Sequence, residues 1–530
     1  AQAALCPLGG SGCLGPRACR QDVRKNARGK RIGLNPRQKI LDQLARIERA
    51  FFDFRAERPR RHVVISAAHM VLFFRTLLQS AAHGKRESGK WLQRWKPAPL
   101  LLDMGARSRD FGAMSKAQST ENPEMFDIAV VGGGLVGLPL ALGFAQAGFK
   151  VAVIDAQAPE EVARAEFDGR VSALSPASLA MFGQLGVLPH LESQLQPVTD
   201  IMVTDGKVGG RAAPFFLHFD AADNDSGPLM SMAENRHIRI AAQKAAERAP
   251  DTLHQIAPDG AESFARDAGG VDVRLASGRV IRARLAVAAD GRASRLRAFA
   301  GLKTVGWSYD QMGIVTTVEH ELPHDGTAQE YFLPSGPFAI LPMQGNRSSL
   351  VWSEKTALAK TIMAMDEDGF ARECAKRFGD YLGAHRPVGP RWSYPLGLQL
   401  AHDYVSERIA LVGDAAHVLH PLAGQGLNWG LKDAAALIEV AAETARVGLD
   451  IGSLAALERY QRWRRFDAVS LALVTDGLNR LFSNDVGPLR LLRDVGLGLV
   501  GKLGPARRFL MREAAGGSGD VPKLLKGEPV

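Results

Sequence analysis

Two glycine-rich stretches hold the side chains best suited to chemistry, about 280 residues apart. The second, residues 412–431, reads VGDAAHVLHPLAGQGLNWGL. Asp414, His417 and His420 offer acid–base or metal chemistry. Gly424 and Gly426 let a backbone approach a ligand where a Cβ would intrude. The histidines stand three apart, a spacing that serves a metal on a regular helix. Pro421 breaks such a helix and no third ligand lies near, so no metal is expected and the histidines read as structural hydrogen-bonding groups. The stretch alone leaves two readings open: a catalytic loop or a glycine turn.

The first stretch, residues 132–155, reads GGGLVGLPLALGFAQAGFKVAVID. Gly132, Gly134 and Gly137 form G-x-G-x-x-G: a tight turn, a close backbone approach to a pyrophosphate, and close helix–strand packing. The helix begun by this motif aims free N–H groups and a partial positive charge at the phosphates. Asp155 stands 23 residues after Gly132, where an acid accepts hydrogen bonds from ribose hydroxyls and repels a 2′-phosphate. The motif therefore selects the adenosine of FAD or NAD and does not choose between them.

The elements that position these residues are set by periodicity. FDIAVVG, LVGLPLALGFAQAG and KVAVID read as strand, helix and strand, a βαβ unit. Residues 176–194 and 233–249 read as helical, and 200–220 as strands. VDVRLASGRVIRARLAVAAD is a hairpin turning at Ser277-Gly278. Residues 310–353 are strand-rich, and helix runs from about 427 to 447. Residues 454–515 are mostly helical, and 516–530 read as a loose tail. The expected fold class is α/β, with a Rossmann-like nucleotide domain and an inserted β-sheet domain.

Composition removes other classes. Apolar residues make up 46% of the chain, ordinary for a soluble core. The net charge of +10 is misleading, because residues 1–123 hold 24 Lys and Arg against 9 Asp and Glu. The remainder holds 42 against 47, so nucleic-acid binding has no support in the body of the chain. Cys6, Cys13 and Cys19 lie in the basic stretch, and Cys374 stands alone afterwards, which fits a reducing compartment. The most apolar run, VVISAAHMVLFF, is about 12 residues, short of the ~20 a spanning helix needs. Residues 1–123 read as a basic extension foreign to the rest of the chain. They are upstream translation outside the natural product, a targeting or disordered arm, or, least consistent with the pattern, a folded domain.

Three further stretches add a family resemblance. FDGRVSALS contains Arg170, AVAADGRASRLR contains Asp290 and Gly291, and RIALVGDAAHVLHPLAGQGLNWGLKDA contains Asp414. With the first glycine cluster they resemble the class A FAD-dependent aromatic hydroxylases, of para-hydroxybenzoate hydroxylase fold. GWSYDQMGIVTTVEHE, EYFLPSGPFAILPM and YQRWRRFDAVSLALVTDGLNRLFSN resemble the ubiquinone-biosynthesis hydroxylases within that family. The resemblance covers residues 126–515.

It implies FAD as cofactor, with NAD(P)H and O2 as co-substrates and a flavin C4a-hydroperoxide as oxidant. It places Arg170 near the FAD phosphates or the ribityl chain, Asp290 and Gly291 beside FAD, and Asp414 on the ribityl chain. Pro421, Gly424, Gly426, Leu427 and Asn428 fall at the flavin ring. It implies a prenylated phenol substrate, with Phe332, Phe338 and Leu341 as pocket walls. No residue stands out as a general base. It further implies a cytoplasmic protein that touches the inner face of the membrane and other ubiquinone-biosynthesis proteins. The domains expected are 126–200, 230–305 and 405–447 for FAD, 200–229 and 306–404 for substrate, and 450–515 as C-terminal helices. Two alternatives are an FAD reductase of related fold and a non-catalytic flavoprotein subunit. Trp429 stands where the family carries a smaller residue; it either packs under its helix or narrows the pocket.

Overall fold

The computed structural model divides the 530-residue chain into two units, Ala1–Ala113 and Met114–Val530. The residues described are 123–164, 166–209, 216–223, 227–420, 424–482 and 520–530, all in the second unit. The expectations for residues 1–122, for 483–519 and for Pro421 fall outside them.

FDIAVV and VAVI are apolar runs with little alternation, as in strands covered on both faces. Glu124–Val131 and Val151–Ile154 accordingly lie inside an eight-stranded sheet. Its parallel core runs Ile409–Leu411, Val280–Ala288, Glu124–Val131, Val151–Ile154, Leu253–Ile256. The expected hairpin pairs Val271–Leu275 with Val280–Ala288 across Gly278 at φ 87°. From Glu124–Val131 the chain first moves to one side and later returns on the other. Strand order therefore reverses at its carboxyl end, where a crevice opens. Helices Gly137–Gln146 and Gly426–Arg446 pack together over this sheet. A Cβ on Gly143 would stand 2.4 Å from Ile438 Cδ1, so glycine is what permits this approach.

A second eight-stranded sheet runs His417–Val418, His385–Ala401, Thr304–His320, Arg347–Lys355, Gly336–Met343, Thr327–Leu333, Asp200–Asp205, Phe216–Asp220. Side chains alternate between its faces. Ile314, Leu333, Phe338, Leu350 and Trp352 pack under helices Thr356–Met363 and Glu367–Phe378. The opposite face carries Ala328 and Leu341 and meets Ala173, Met230 and Met232 of a three-stranded sheet. The two covering helices and the strand His385–Ala401 were not anticipated from the sequence.

One expectation is overturned. The C-terminal tail is docked over residues 520–530, not loose. Leu524 and Leu525 are buried in the main core, beside Val521 and Val530. Lys523 N–H donates to Glu439 Oε2 at 2.8 Å, Trp463 Nε1 to Asp520 O at 2.8 Å, and Gln184 Nε2 to Gly527 O at 2.6 Å. Four apolar residues in a short polar stretch are too few for a periodicity signal, yet enough to anchor a chain end. Leu524→Ala is expected to cost about 2–3 kcal/mol in urea unfolding. A loss below about 0.5 kcal/mol would show that the segment contributes no packing.

Candidate active site

At the crevice the first glycine cluster turns tightly. Gly132 has φ 102°, and a Cβ there would stand 2.5 Å from Ala289 O. A Cβ on Gly137 would stand 1.8 Å from Gly132 O, so the helix start rests on the turn. Gly134 faces open space. Asp155 accepts from Gly133 N–H at 2.7 Å through Oδ2 and from Gln157 N–H at 2.8 Å through Oδ1. These bonds hold the carboxylate at the crevice mouth and leave acceptor positions free. The helix Gly137–Gln146 has no side-chain cap and no acid in its first turn, which leaves its N-terminal amides for an anion.

Asp290 and Gly291 lie beside that turn, since Ala289 abuts both Gly132 and Gly137. Asp290 Oδ2 accepts from Arg295 N–H at 2.8 Å, while its buried Oδ1 has no partner. Arg297 donates to Ala415 O at 2.8 Å and Arg292 O at 2.7 Å. Its guanidinium thus ties the Asp290-Gly291 (D-G) segment to the Gly413-Asp414 (G-D) loop.

The G-D loop comes directly after Ile409–Leu411. Gly413, at φ 56°, stands where a Cβ would meet Val136 Cγ2 at 3.6 Å and Gly430 Cα at 3.7 Å. A Cβ on Gly430 would stand 2.6 Å from Val136 Cγ2. The two glycine clusters therefore touch, with Val136 of the first seated between Gly413 and Gly430. Asp414 opens onto the crevice and has no hydrogen-bond partner among the described residues. Surrounding protein desolvates its carboxyl and raises its pKa, against the pull of His417 and Arg292.

A buried cluster fixes this loop. Asp433 Oδ2 accepts from Gly413 N–H at 3.1 Å and pairs with His417 Nε2 at 2.6 Å. Asp433 Oδ1 accepts from Arg464 Nε at 2.8 Å, and Arg464 also reaches Asp467 at 2.9 Å. Burial opposes ionisation of Asp433, but His417 and Arg464 prevail and hold its pKa below the carboxylate range. His417 thus serves the loop. His420 is buried with both ring nitrogens unpartnered, edge-on to Tyr309 at 5.3 Å, and burial pushes its pKa down to about 4. Trp429 packs beneath its helix, with Arg464 5.1 Å and Lys432 5.4 Å from its ring. No group of three metal-ligating side chains occurs among the described residues.

The helix Gly426–Arg446 also begins without a side-chain cap or an early acid. Gly424, at φ 61°, lies against Ala173, where a Cβ would stand 3.3 Å away. Leu427 packs on the main core. The Asn428 side chain is consumed: Nδ2 donates to Ala173 O at 2.8 Å, and Oδ1 accepts from Ser178 Oγ at 2.8 Å and Ser175 N at 3.0 Å. It locks the helix start to the strand Val171–Leu174, leaving its backbone N–H for a ligand. Arg170, just before that strand, is exposed, bonds Asp168 and stacks on Trp392 at 5.3 Å.

The residues expected as pocket walls divide between the two sheet faces. Phe332 and Leu341 share the face that looks toward Ala173. Phe338 is three residues from Leu341 and so points the other way, into the core under the helices, 6.1 Å from Trp352. It lines no cleft. Sequence reasoning passed over Glu330, which alternation places with Ala328 and Phe332. It has no partner among the described residues, and burial lifts its carboxyl to about 7. A lone acid between two inward apolar residues was the available signal.

The residues fit FAD on the structure's own terms. Two uncapped helix starts, an open glycine, the unpartnered Asp290 oxygen and the free Asp414 carboxyl face one crevice. Comparison with known proteins agrees. Residues 125–468 match the FAD binding domain family. Ubiquinone hydroxylase UbiL of Rhodospirillum rubrum is 46% identical over 407 residues, 76% of this chain and 93% of the relative. The 3-demethoxyubiquinol 3-hydroxylase of Escherichia coli is 36% identical over 393 residues, 74% of this chain and 98% of the relative. The crystal structure of p-nitrophenol 4-monooxygenase PnpA from Pseudomonas putida superposes with a TM-score of 0.62 at 21% identity, over 75% of this chain and all of that one. That likeness concerns the fold. The protein is an FAD-dependent monooxygenase. It belongs to the class A flavin hydroxylase family, in the branch formed by the ubiquinone-biosynthesis hydroxylases.

Asp433→Asn removes the charge that holds His417, Arg464 and the Gly413 amide. A loss of about 3–5 kcal/mol in unfolding free energy is expected near neutral pH. Because the wild-type pKa is depressed, the Asp433 contribution disappears only as pH falls below the ordinary 3.8, so the gap closes in acid. A gap below about 1 kcal/mol at pH 7 would remove the cluster as the anchor of the loop.

Proposed function

We propose that the protein hydroxylates the aromatic ring of a prenylated phenol in ubiquinone biosynthesis, using NAD(P)H and O2. The observation that carries this reading is the meeting of both glycine clusters at Val136, Gly413 and Gly430, opposite a largely apolar sheet face. Two adjoining glycine-rich turns that accept a dinucleotide backbone and a hydrophobic wall are the two things such a reaction needs.

The backbone at Gly132 and Gly134 and the helix start at Gly137 hold the pyrophosphate of FAD. Asp155 takes the ribose hydroxyls, and Asp414 takes the ribityl hydroxyls. Asp290 and Gly291 line the middle of the crevice, and Arg170 its rim. The amides from Gly424 to Asn428 stabilise negative charge at the pyrimidine edge, aided by the dipole of a 21-residue helix. Bound FAD supplies the redox chemistry, taking electrons from NAD(P)H and activating O2. The chain supplies the rest. Phe332 and Leu341 exclude water and hold the ring, and the apolar face suits a substrate that carries a prenyl tail. Among the described residues no helix is long and apolar enough to cross a membrane. Membrane contact, where the tail demands it, is made from the surface.

Gly134→Val tests the cofactor site. Nothing lies within 4 Å of a Cβ there, so the apo protein should melt like wild type while FAD binds at least about 30-fold more weakly, roughly 2 kcal/mol. Unchanged FAD titration would move the pyrophosphate elsewhere. For the reaction, deletion of the gene followed by mass spectrometry of quinone intermediates should show a precursor lacking one ring hydroxyl. Unaltered quinone content would sink the proposal.

A further inference from the structure

We propose that Glu330 is the proton acceptor for the ring hydroxyl of the substrate. This rests on the hydroxylase reading and adds to it the base that the sequence left unidentified.

Glu330 lies on Thr327–Leu333, between Ala328 and Phe332 on one face. Ala328 belongs to the cluster with Ala173, and Ala173 abuts Gly424. Glu330 is about 7 Å further along the strand, on the face that looks to the start of the flavin helix. Register puts Val203 and Ala339 opposite it on the two flanking strands, with Val351 and Val315 next in the row. This row of aliphatic side chains contains a single carboxyl. The groups that titrate on the flanking strands are few. Asp200 is held by His218 at 2.8 Å at the far end, and Asp205 stands opposite Phe332. Gly336–Met343 carries none. On the three-stranded sheet, Glu234 is bonded by Arg236 at 2.7 Å. Among the described residues no cation is placed to satisfy Glu330, in contrast to Asp433. Tyr394, across the sheet and opposite Gly313, also has its pKa raised by burial and offers no base near neutrality.

Desolvation alone lifts the Glu330 carboxyl to about 7. A base matched to neutral pH is what proton removal from a phenol requires. In the step proposed, the substrate O–H bond breaks and its proton passes to a Glu330 carboxylate oxygen. The electron pair stays on the phenolate and raises electron density at the ortho and para carbons. One such carbon forms the new C–O bond with an atom of O2. The ring then loses that carbon's hydrogen as a proton. NAD(P)H supplies the two electrons that take the second oxygen atom to water, and Glu330 returns its proton to solvent.

The test uses FAD-loaded protein, a short-chain prenylated phenol, and the variants Glu330→Gln and Glu330→Asp. Wild type should show an ascending pH limb in product formation centred near 7. Glu330→Gln should lose at least about tenfold in kcat at pH 7, with FAD content unchanged, and recover as pH approaches the phenol's own ionisation. Glu330→Asp should restore the limb. A Glu330→Gln profile that overlays wild type would overturn the assignment. A second readout needs no turnover. The folded chain keeps the Glu330 proton up to about 7, against an ordinary 4.5. Wild type therefore loses stability relative to Glu330→Gln as pH rises between those values. The variant should melt higher at about pH 8 and equally at about pH 4.5. An equal difference at both pH values would remove the desolvated acid and the proposal with it. Wild type that forms no hydroxylated product at any pH would instead bring down the hydroxylase reading itself, and Glu330 with it.

Discussion

Asp433 is the constraint on which the site depends. It is wholly buried and receives Gly413 N–H, His417 and Arg464. Those partners come from the G-D loop and from the helix Leu454–Phe482, while Asp433 itself belongs to the helix that starts at Gly426. A carboxylate moved out of water without partners costs several kcal/mol. With three charge-assisted bonds it becomes a joint that tolerates little displacement. The loop that carries Asp414 is therefore placed by a residue 19 positions later in the chain.

This joint also couples the two sheets. Immediately after the G-D loop, His417–Val418 pairs with Gln399 and Leu400 of the second eight-stranded sheet. The residue that bonds Asp433 is thus itself a strand residue of the opposite wall. Val136 adds the third side: a Cβ on Gly430 would stand 2.6 Å from Val136 Cγ2, so glycine there lets the first glycine cluster close on the second.

The legible part of the structure was the part in which backbone must touch backbone or ligand. Such contacts require glycine at specific steps, so G-x-G-x-x-G, D-G and G-D announce themselves in any fold that uses them. The βαβ unit and the hairpin at Gly278 were legible for a related reason, since periodicity and turn chemistry are local. What was hidden depended on which side a strand is covered from. Alternation shows that Phe338 and Leu341 face opposite ways. It cannot say which faces the crevice until helices Thr356–Met363 and Glu367–Phe378 are known to cover one side. Glu330 was missed for the same reason. His417 and His420 look equivalent in sequence, and only Asp433, on a later helix turn, separates the bonded one from the unpartnered one.

The carboxylates around the cleft then divide by a single physical variable, the cations near them. Asp433 is the most deeply buried, yet remains ionised because His417 and Arg464 are bonded to it. Asp414 is exposed, and desolvation by the surrounding protein still raises its pKa against the pull of His417 and Arg292. Glu330 has no such help, and its pKa rises to about 7. Burial alone therefore does not assign a role. An acid held ionised suits anchoring, because its partners leave it no freedom to exchange a proton. An acid desolvated and unpartnered is costly to the apo fold, and that cost persists only where a ligand or a proton can relieve it. The contrast between Asp433, held by its cations behind the loop of Gly413 and Asp414, and Glu330, which no cation satisfies among the described residues, supports the base role proposed for Glu330.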